Sequence, residues 1–152
     1  MVEIREFCER DIQDCRALIA SSAFFQSYGV NPDRFVESLL SSMKRAESSV
    51  YVALWQGALA GFRWVIRDGG FDRTPYLRLL AVDDRMHRKG IGRALMAHME
   101  KVHAGARDLM LLVTQSNTKA RQFYESLGYK KVGLLENYVQ DGVHECIYQK
   151  RL

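Results

Sequence analysis

One short segment constrains the fold of this chain more than any other: an apolar run that leads into a basic loop with two glycines. The segment is Leu79–Leu95, and the glycines are Gly90 and Gly92. A glycine has no Cβ, so it lets the backbone approach a ligand closely. A helix that starts here presents unpaired N–H groups and the positive end of its dipole. The segment therefore predicts a strand, a loop and a helix, with an anion site, typically for phosphate, where the helix begins.

Two common phosphate loops do not fit this spacing. A P-loop ends in Gly-Lys followed by Ser or Thr, whereas here Lys89 precedes Gly90 and no hydroxyl residue follows. A dinucleotide fingerprint has a third small residue after its second glycine, and Leu95 occupies that position. The remaining interpretations are a different class of anion site and an ordinary glycine-containing turn between a strand and a helix.

The loop resembles the acyl-CoA loop of GNAT-type N-acetyltransferases, in which Arg/Gln-x-x-Gly-x-Gly/Ala follows a strand that ends in Val. Val82 ends the apolar run, and His87–Gly92 fits the loop, with His in place of Arg or Gln. A second segment, Asn117–Tyr129, matches the family's Asn-x-x-Ala-x-x-Phe-Tyr-x-x-x-Gly-Phe/Tyr pattern at every fixed position. Its residues also have structural alternatives, such as a helix cap for Asn117. The two segments in this order identify the chain as a member of the GNAT family.

The resemblance implies acetyl-CoA as the cofactor. In the family, the strand end pairs with the pantetheine arm, the loop amides hold the diphosphate, and the asparagine adds a hydrogen bond. The cofactor-binding residues implied in this way are Leu80, Ala81, Val82, His87, Arg88, Lys89, Gly90, Ile91, Gly92, Arg93, Asn117 and Phe123. No metal is expected.

The resemblance also assigns one catalytic residue. Acetyl transfer to an amine needs a donor for the oxyanion and a proton for the departing thiolate. Tyr124 stands where the family has a tyrosine that faces the cofactor sulfur. An ordinary phenol has a pKa of about 10, so it is protonated at neutral pH and donates a hydrogen bond. A main-chain N–H near Val82 fits the family's oxyanion donor.

The general base is left open. A lysine-like amine with a pKa of about 10.4 costs roughly 4.6 kcal/mol to deprotonate at pH 7. Many relatives carry a Glu in the strand before the loop, but Thr74–Val82 contains no carboxylate. Asp72, His144 and Glu145 are the remaining candidates. A water chain, or an acceptor amine with a low pKa, is the alternative to a dedicated base.

The acceptor is expected to be a primary amine of a small molecule or a peptide, acetylated directly in a ternary complex. The three cysteines, Cys8, Cys15 and Cys146, form no Cys/His nucleophile pattern. Aromatic residues are candidates for the acceptor pocket, although most aromatic residues in proteins belong to the core. These candidates are Phe24, Phe25, Tyr28, Trp64, Phe71 and Tyr138.

Composition limits the other function classes. The chain of 152 residues is long enough for one domain over residues 1–152. An odd number of distant cysteines favours reduced thiols and a cytoplasmic location. Neither an apolar signal core nor an apolar run of membrane-spanning length is found. The net charge of +4 is modest and forms no long stripe, so nucleic acid is not expected as a partner. A homodimer is a possible state, since dimers are frequent in the family.

Two alternatives to an acetyltransferase stay open. A non-catalytic acyl-CoA sensor of the same fold is supported by the missing strand carboxylate. A small basic nucleic-acid module is supported by the cluster of Arg85, Arg88, Lys89 and Arg93. Such a module would show binding that depends steeply on salt.

Hydrophobic periodicity predicts an α/β (α+β) fold. Strands are predicted near Val2–Phe7, Val50–Trp55, Ala58–Arg67, Pro75–Val82, Leu109–Thr114, Tyr129–Leu135 and Val143–Lys150, with a break at Asp68–Gly70. Helices are predicted over about Ile12–Ser21, Pro32–Met43, Ile91–Val102 and Thr118–Ser126, the first two capped by Asp11 and Asn31. A strand–helix–strand crossover makes its two strands parallel. The pattern therefore predicts a mixed, mostly antiparallel sheet of about seven strands and about four helices, with a central parallel βαβ unit. This agrees with the GNAT-like twisted sheet that the resemblance implies.

Overall fold

The computed structural model describes residues 1–152 and contains a seven-stranded mixed sheet with five α-helices, which confirms the expected fold class. The strands are β1 (Val2–Glu6), β2 (Ser48–Trp55), β3 (Ala58–Gly70), β4 (Thr74–Val82), β5 (Asp108–Thr114), β6 (Lys130–Gln140) and β7 (Val143–Arg151). The helices are α1 (Ile12–Ser21), α2 (Ala23–Ser27), α3 (Pro32–Lys44), α4 (Ile91–Val102) and α5 (Thr118–Ser126). Single turns of 3-10 helix lie at Glu9–Asp11 and Asp84–Met86.

The sheet has the strand order β1-β2-β3-β4-β5-β7-β6. Only β4 and β5 are parallel, and the crossover between them contains α4, as the sequence predicts. These two strands pair at Tyr76–Met110 and Leu77–Leu111 and nowhere else. Each strand then continues without the other, to Val82 and to Thr114 respectively. The centre of the sheet therefore opens at the carboxyl ends of its two parallel strands.

A β-bulge in β4 lies at the start of this opening. Leu77 pairs with Val65 and Leu79 pairs with Trp64, so Arg78 is an extra residue without a partner on β3. A bulge places two residues opposite one and sharpens the local twist. The Arg78 side chain is exposed, and its guanidinium lies 5.4 Å from the centre of the Trp64 ring.

The two faces of the sheet carry separate apolar cores. The core beneath α4 and α5 includes Val65, Leu77, Met96, Met99, Leu109, Leu111, Val113, Tyr129 and Tyr148. The core beneath α1 and α3 includes Leu18, Ile19, Leu39, Val50, Val52, Phe62 and Trp64. Because α1 and α3 pack on β2, β3 and β4, that side of β5, β7 and β6 is left to line a cleft.

The structure adds one helix to the four that the sequence predicts. This helix is α2, of only five residues, too short to show a helical repeat. Its cap is Ser22, whose Oγ accepts from the Phe25 N–H at 3.4 Å. The expected break at Asp68–Gly70 is wrong, because β3 continues to Gly70. The turn instead uses Phe71 and Asp72, both with positive φ.

Of the two predicted helix caps, the one at Asn31 is confirmed and the one at Asp11 is wrong. Asn31 caps α3 and accepts from the backbone N–H groups of Asp33 and Arg34, as expected. Asp11 makes no cap hydrogen bond to α1. Its carboxylate instead accepts two bonds from the guanidinium of Arg5, each of 2.8 Å, and one from the Cys8 N–H. A charged donor binds a carboxylate more strongly than a neutral amide does, which explains the change of partner.

None of the helices combines the length and apolar character needed to cross a lipid bilayer.

Candidate active site

A cleft of about 270 Å³ occupies the gap between β4 and β5. Leu80, Ala81 and Val82 form one wall, and Val113 and Thr114 form the other. Beyond Leu77, the edge of β4 that faces β5 has no strand partner, so its backbone N–H and C=O groups are free on that side. An extended ligand with amide groups fits such an edge, because it pairs with the backbone as an added strand does.

The N-terminus of α4 lies beside Val82 of the cleft wall, since a Cβ at Gly92 would be 3.6 Å from Val82 Cγ2, and it is rich in free donors. The backbone N–H groups from Gly90 to Arg93 donate to no acceptor in the protein, and the first helical bond runs from the Ala94 N–H to the Gly90 carbonyl. Unpaired N–H groups together with the helix dipole make a site for an anion.

The two glycines of this loop are required for different reasons. Gly90 has a φ of 78°, in the left-handed region that a glycine adopts without strain, and a Cβ there would meet no atom within 4 Å. Gly92 has no such φ, but a Cβ there would lie 3.3 Å from Cζ of Phe123. Gly90 therefore serves the turn, whereas Gly92 serves the packing of α4 on α5.

Three basic side chains surround the N-terminus of α4 without forming an ion pair. Arg88, Lys89 and Arg93 are all exposed. Lys89 holds its Nζ 5.4 Å from the centre of the Trp55 ring, and Arg93 donates to Ser126 Oγ at 3.4 Å. Their charges are therefore available to an anion at the loop, with a contribution of about 0.3–1 kcal/mol for each favourable charge near a helix end.

The structure distributes the predicted cofactor-binding residues over four locations. The cleft itself is lined by Leu80, Ala81, Val82, His87 and Asn117. The residues Arg88, Lys89, Gly90, Gly92 and Arg93 lie in the loop and the first turn of α4. The side chain of Ile91 is buried in the core, where it contacts Leu95, so only its backbone can reach a ligand. Phe123 lies outside the cleft lining, between Gly92 and Tyr124.

Asn117 has both of the roles that the sequence suggests for it. Its Oδ1 accepts from the Ala120 N–H at 3.2 Å and so caps α5. The residue also lines the cleft, and its one side-chain hydrogen bond uses Oδ1, so its amide NH₂ is free for a ligand there.

Tyr124 lies in the wall of the cleft and is 9% exposed. Its ring packs edge-on against Phe123 and Tyr129, with ring centres 5.1 and 5.9 Å away. The hydroxyl makes no hydrogen bond with the protein, and burial raises the pKa of Tyr124 above its usual range. The phenol is thus protonated at any physiological pH, and its O–H is free to donate a hydrogen bond to a ligand.

Of the three candidate bases, only Glu145 lines the cleft. It is 6% exposed, and the Thr114 hydroxyl lies 3.1 and 3.2 Å from its two carboxylate oxygens. Asp72 lies in the exposed turn after β3. His144 accepts from the Asn137 N–H through Nδ1 at 3.0 Å, which is a structural contact within the β6–β7 hairpin.

The structure places the aromatic candidates for the acceptor pocket in different parts of the molecule. Phe24 and Phe25 line the cleft, and the hydroxyl of Tyr28 forms a hydrogen bond with the hydroxyl of Thr114. The expectation for Trp64 is wrong: this residue is 3% exposed in the core, and its Nε1 donates to Ser48 Oγ.

Phe71 and Tyr138 line a second cavity of about 590 Å³ beside the cleft. It lies on the uncovered side of β5, β7 and β6, and its lining is mostly apolar. Arg78, the bulge residue of β4, belongs to the walls of both spaces. The sequence contains no signal for this residue, since a bulge depends on the register with the neighbouring strand.

Comparisons with known proteins agree on one family. The family model described as "Acetyltransferase (GNAT) domain" matches residues 13–152. An N-alpha-acetyltransferase of Sulfurisphaera tokodaii is 33% identical over 121 residues, which is 71% of this chain and 70% of that protein. An uncharacterized N-acetyltransferase of Methanocaldococcus jannaschii is 30% identical over 151 residues, which is 97% of this chain and 90% of that protein.

Solved structures show the same fold. The crystal structure of an aminoglycoside 6'-N-acetyltransferase complexed with coenzyme A superposes with a TM-score of 0.77. The match covers 98% of this chain and 96% of the other at 23% identity.

Proposed function

The chain belongs to the GNAT family and is an N-acetyltransferase, and on this premise we propose that it transfers an acetyl group from acetyl-CoA to a primary amine of a small molecule or peptide. The observation that carries the proposal is the cleft between β4 and β5, with a free strand edge, an anion site beside Val82 of its wall and an unused tyrosine hydroxyl. Transfer is direct, in a ternary complex, because no cysteine lines the cleft.

The residues of the cleft fit acetyl-CoA, which GNAT enzymes use as their acetyl donor. The free N–H groups from Gly90 to Arg93 suit its diphosphate, and Arg88 and Lys89 add positive charge. The edge of β4 at Leu80–Val82 suits the amides of the pantetheine arm, to which the Asn117 NH₂ adds a donor. Phe123 contributes indirectly by holding the first turn of α4 through Gly92.

The affinity must come from many contacts together. A micromolar Kd corresponds to about 8.2 kcal/mol, whereas one charge near a helix end contributes about 0.3–1 kcal/mol. The loop alone is therefore insufficient, and burial of the arm between β4 and β5 must contribute. When bound, acetyl-CoA supplies a thioester carbonyl that an amine can attack.

The chemistry of the chain itself centres on Tyr124. Burial keeps its phenol protonated, and no group of the protein competes for its hydrogen. We assign it the role of donating a proton to the departing sulfur. A main-chain N–H near Val82, on the free edge of β4, is assigned to the oxyanion, since a donor held in place by the sheet needs no reorganisation.

The acceptor is proposed to enter through the second cavity. One relative is an N-alpha-acetyltransferase by name, and one structural neighbour is an aminoglycoside N-acetyltransferase. Both names fit a primary amine as the acceptor. The apolar lining, including Phe71, Tyr138 and Val139, favours an amine that carries an apolar group. The three free cysteines support a reducing compartment, and we propose the cytoplasm.

The decisive experiment combines calorimetric titration of the protein with acetyl-CoA and an assay of thiol release over a broad panel of amines and peptides. We expect stoichiometric binding and turnover with at least one acceptor, identified by mass spectrometry of the product. Binding without any turnover would support a sensor instead. A protein that binds DNA with a steep salt dependence and ignores acetyl-CoA would contradict the assignment.

A further inference from the structure

We propose that Glu145 binds the ammonium group of the acceptor and accepts its proton, an inference that rests on the proposed acetyl transfer. The sequence leaves the general base open because β4 carries no carboxylate. The structure brings a carboxylate to the cleft from a different strand. Four observations support the assignment. Glu145 lies in the cleft, it is buried, it has no cationic partner, and the other carboxylate of the cleft already has partners.

Glu145 is held in place by the sheet. It lies near the start of β7, directly opposite Thr114 at the end of β5. Both residues line the same cleft as Tyr124. A proton acceptor and a proton donor therefore belong to one cavity, which is the arrangement that acyl transfer to an amine needs.

Glu145 has no cationic partner. None of the ion pairs of the protein includes it, although the residue is 6% exposed. Its contacts are the hydroxyl of Thr114, at 3.1 and 3.2 Å, and through it the hydroxyl of Tyr28. A buried carboxylate without a positive partner is unfavourable. An ammonium group in the cleft would supply the missing charge.

The other carboxylate of the cleft is already engaged. Asp84 accepts from the Ala23 N–H at 3.1 Å and lies 3.6 Å from Nε2 of His87. Its side chain is also 43% exposed, so water stabilises its charge. Of the two carboxylates of the cleft, Glu145 is thus the one whose charge is stabilised neither by a cationic partner nor by exposure to water.

The surroundings of Glu145 also suit proton transfer. Burial raises the pKa of Glu145, and the neighbouring hydroxyls of Thr114 and Tyr28 oppose this change. The titratable groups that face it are Tyr28, which follows α2, and Tyr76 on β4, and Arg78 lines the same cleft. A base with a pKa closer to neutrality accepts a proton more readily from an amine.

The proposed step is balanced. One N–H bond of the ammonium breaks, its proton forms an O–H bond on Glu145, and the electron pair remains on nitrogen for attack on the carbonyl carbon. As the new C–N bond forms and the C–S bond breaks, the sulfur receives the Tyr124 proton. The second proton of the nitrogen returns to Tyr124 through water. Glu145 then releases its proton to solvent, so each turnover releases one proton.

Glu145→Gln tests the step, because the amide keeps the shape and loses the base. With the amine found by the acceptor screen, we expect kcat/KM at pH 7 to fall about 100-fold or more. The loss of kcat/KM must become smaller as the pH rises toward the pKa of the amine, since the amine then loses its proton to solvent and needs no base. Glu136→Gln, at an exposed position of β6, is the matched control. Acetyl-CoA affinity is expected to be unchanged in both variants.

A second measurement needs neither turnover nor a variant. In protein labelled with carbon-13 glutamate, the Glu145 carboxyl resonance is followed while L-phenylalaninamide is added. We expect the resonance to move with this ammonium probe and to stay unchanged with N-acetyl-phenylalaninamide, which has no charge. An unmoved resonance overturns the proposal, as does a Glu145→Gln enzyme within threefold of the control at every pH. A wild-type protein that acetylates no amine refutes the transfer reaction itself, while the titration still decides whether Glu145 binds an ammonium group.

Discussion

Gly92 on α4 lies against the ring of Phe123 on α5, so closely that a Cβ at position 92 would be 3.3 Å from Cζ of that ring. This contact joins the first turn of α4, where the anion site lies, to the helix that carries Tyr124 and begins at Asn117. A glycine at position 92 therefore suits the packing of a neighbouring helix, because a Cβ there would push the Phe123 ring by a few tenths of an ångström. The two motifs of the sequence are one packed unit in the structure, which keeps the anion site and the proposed proton donor in a fixed relation.

Gly92→Asp is expected to weaken acetyl-CoA binding about 100-fold, or roughly 2.7 kcal/mol. The new side chain must displace Phe123, and its negative charge lies where the proposed diphosphate binds. Isothermal titration calorimetry measures the effect. Gly105→Asp is the control, because a Cβ at Gly105 meets no atom within 4 Å and the residue lies past the far end of α4. Equal binding by both variants would count against the assignment of the loop.

The sequence predicts well the features that depend on consecutive residues. The strand, loop and helix from Leu79 to Leu95 lie where the motif indicates, and α5 has its predicted bounds of Thr118–Ser126. In both segments a cap, a glycine or an apolar repeat acts on residues within a few positions. Interactions between residues that are close in the sequence therefore determine these elements, and such interactions can be predicted from a single sequence.

The features that the sequence does not predict depend on pairs of distant residues. Thr114 and Glu145, which are 31 positions apart in the sequence, meet across two neighbouring strands. The bulge at Arg78 follows from the register of β4 with β3. Asp11 leaves its expected cap because Arg5, six residues earlier, offers a charged donor. Each outcome is set by tertiary contacts, so no local pattern indicates which partner a side chain will find.

Tyr124→Phe is expected to lower kcat by about 100-fold at pH 7 with little change in the Kd for acetyl-CoA. The ring and its packing remain, while the proton donor for the sulfur is lost. Steady-state kinetics and calorimetry separate the two effects. Tyr129→Phe is the matched control, since its hydroxyl is buried without a partner, and we expect its removal to leave kcat unchanged. Similar rates for the two variants would assign Tyr124 a structural role.

Asp11→Asn is expected to destabilise the protein by roughly 1.5–3 kcal/mol at pH 7, because it weakens a hydrogen-bonded ion pair. Asp11 is 3% exposed, and its bonds to Arg5 lower the pKa of its carboxyl to about 2. An unfolded Asp has a pKa of about 3.9, so this stabilisation is complete above that pH and is lost as the pH falls toward 2. Urea unfolding at pH 7 and pH 3 measures the change.

The control for Asp11 is an ion pair of similar length on the surface. Arg16 and Asp33 lie 2.6 Å apart, but Asp33 is 67% exposed. Exposed pairs contribute about 0.2–1 kcal/mol, so Asp33→Asn should cost less than Asp11→Asn. A deficit for Asp11→Asn that stays the same at pH 3 would contradict the proposed linkage.

His98 is expected to make the protein less stable in acid. Arg63 is fully buried and has no acidic partner, and its Nη2 lies 3.0 Å from Nδ1 of His98, which accepts only when the imidazole is neutral. Burial, with the charges of Arg63 and Lys101, lowers the pKa of His98. The folded state therefore binds fewer protons than the unfolded state, and stability falls as the pH drops below the unfolded pKa of about 6.5.

The test is the melting temperature of His98→Gln between pH 5 and 8. Glutamine offers Arg63 an acceptor that does not titrate, so we expect a smaller loss on acidification than in the wild type. Part of the loss should remain, because burial and Arg63 lower the pKa of His103 in the same direction. His87→Gln, which changes a side chain 60% exposed, should leave the acid sensitivity unaltered. If His98→Gln and His87→Gln lose stability in parallel, the contact between His98 and Arg63 does not control the response to acid.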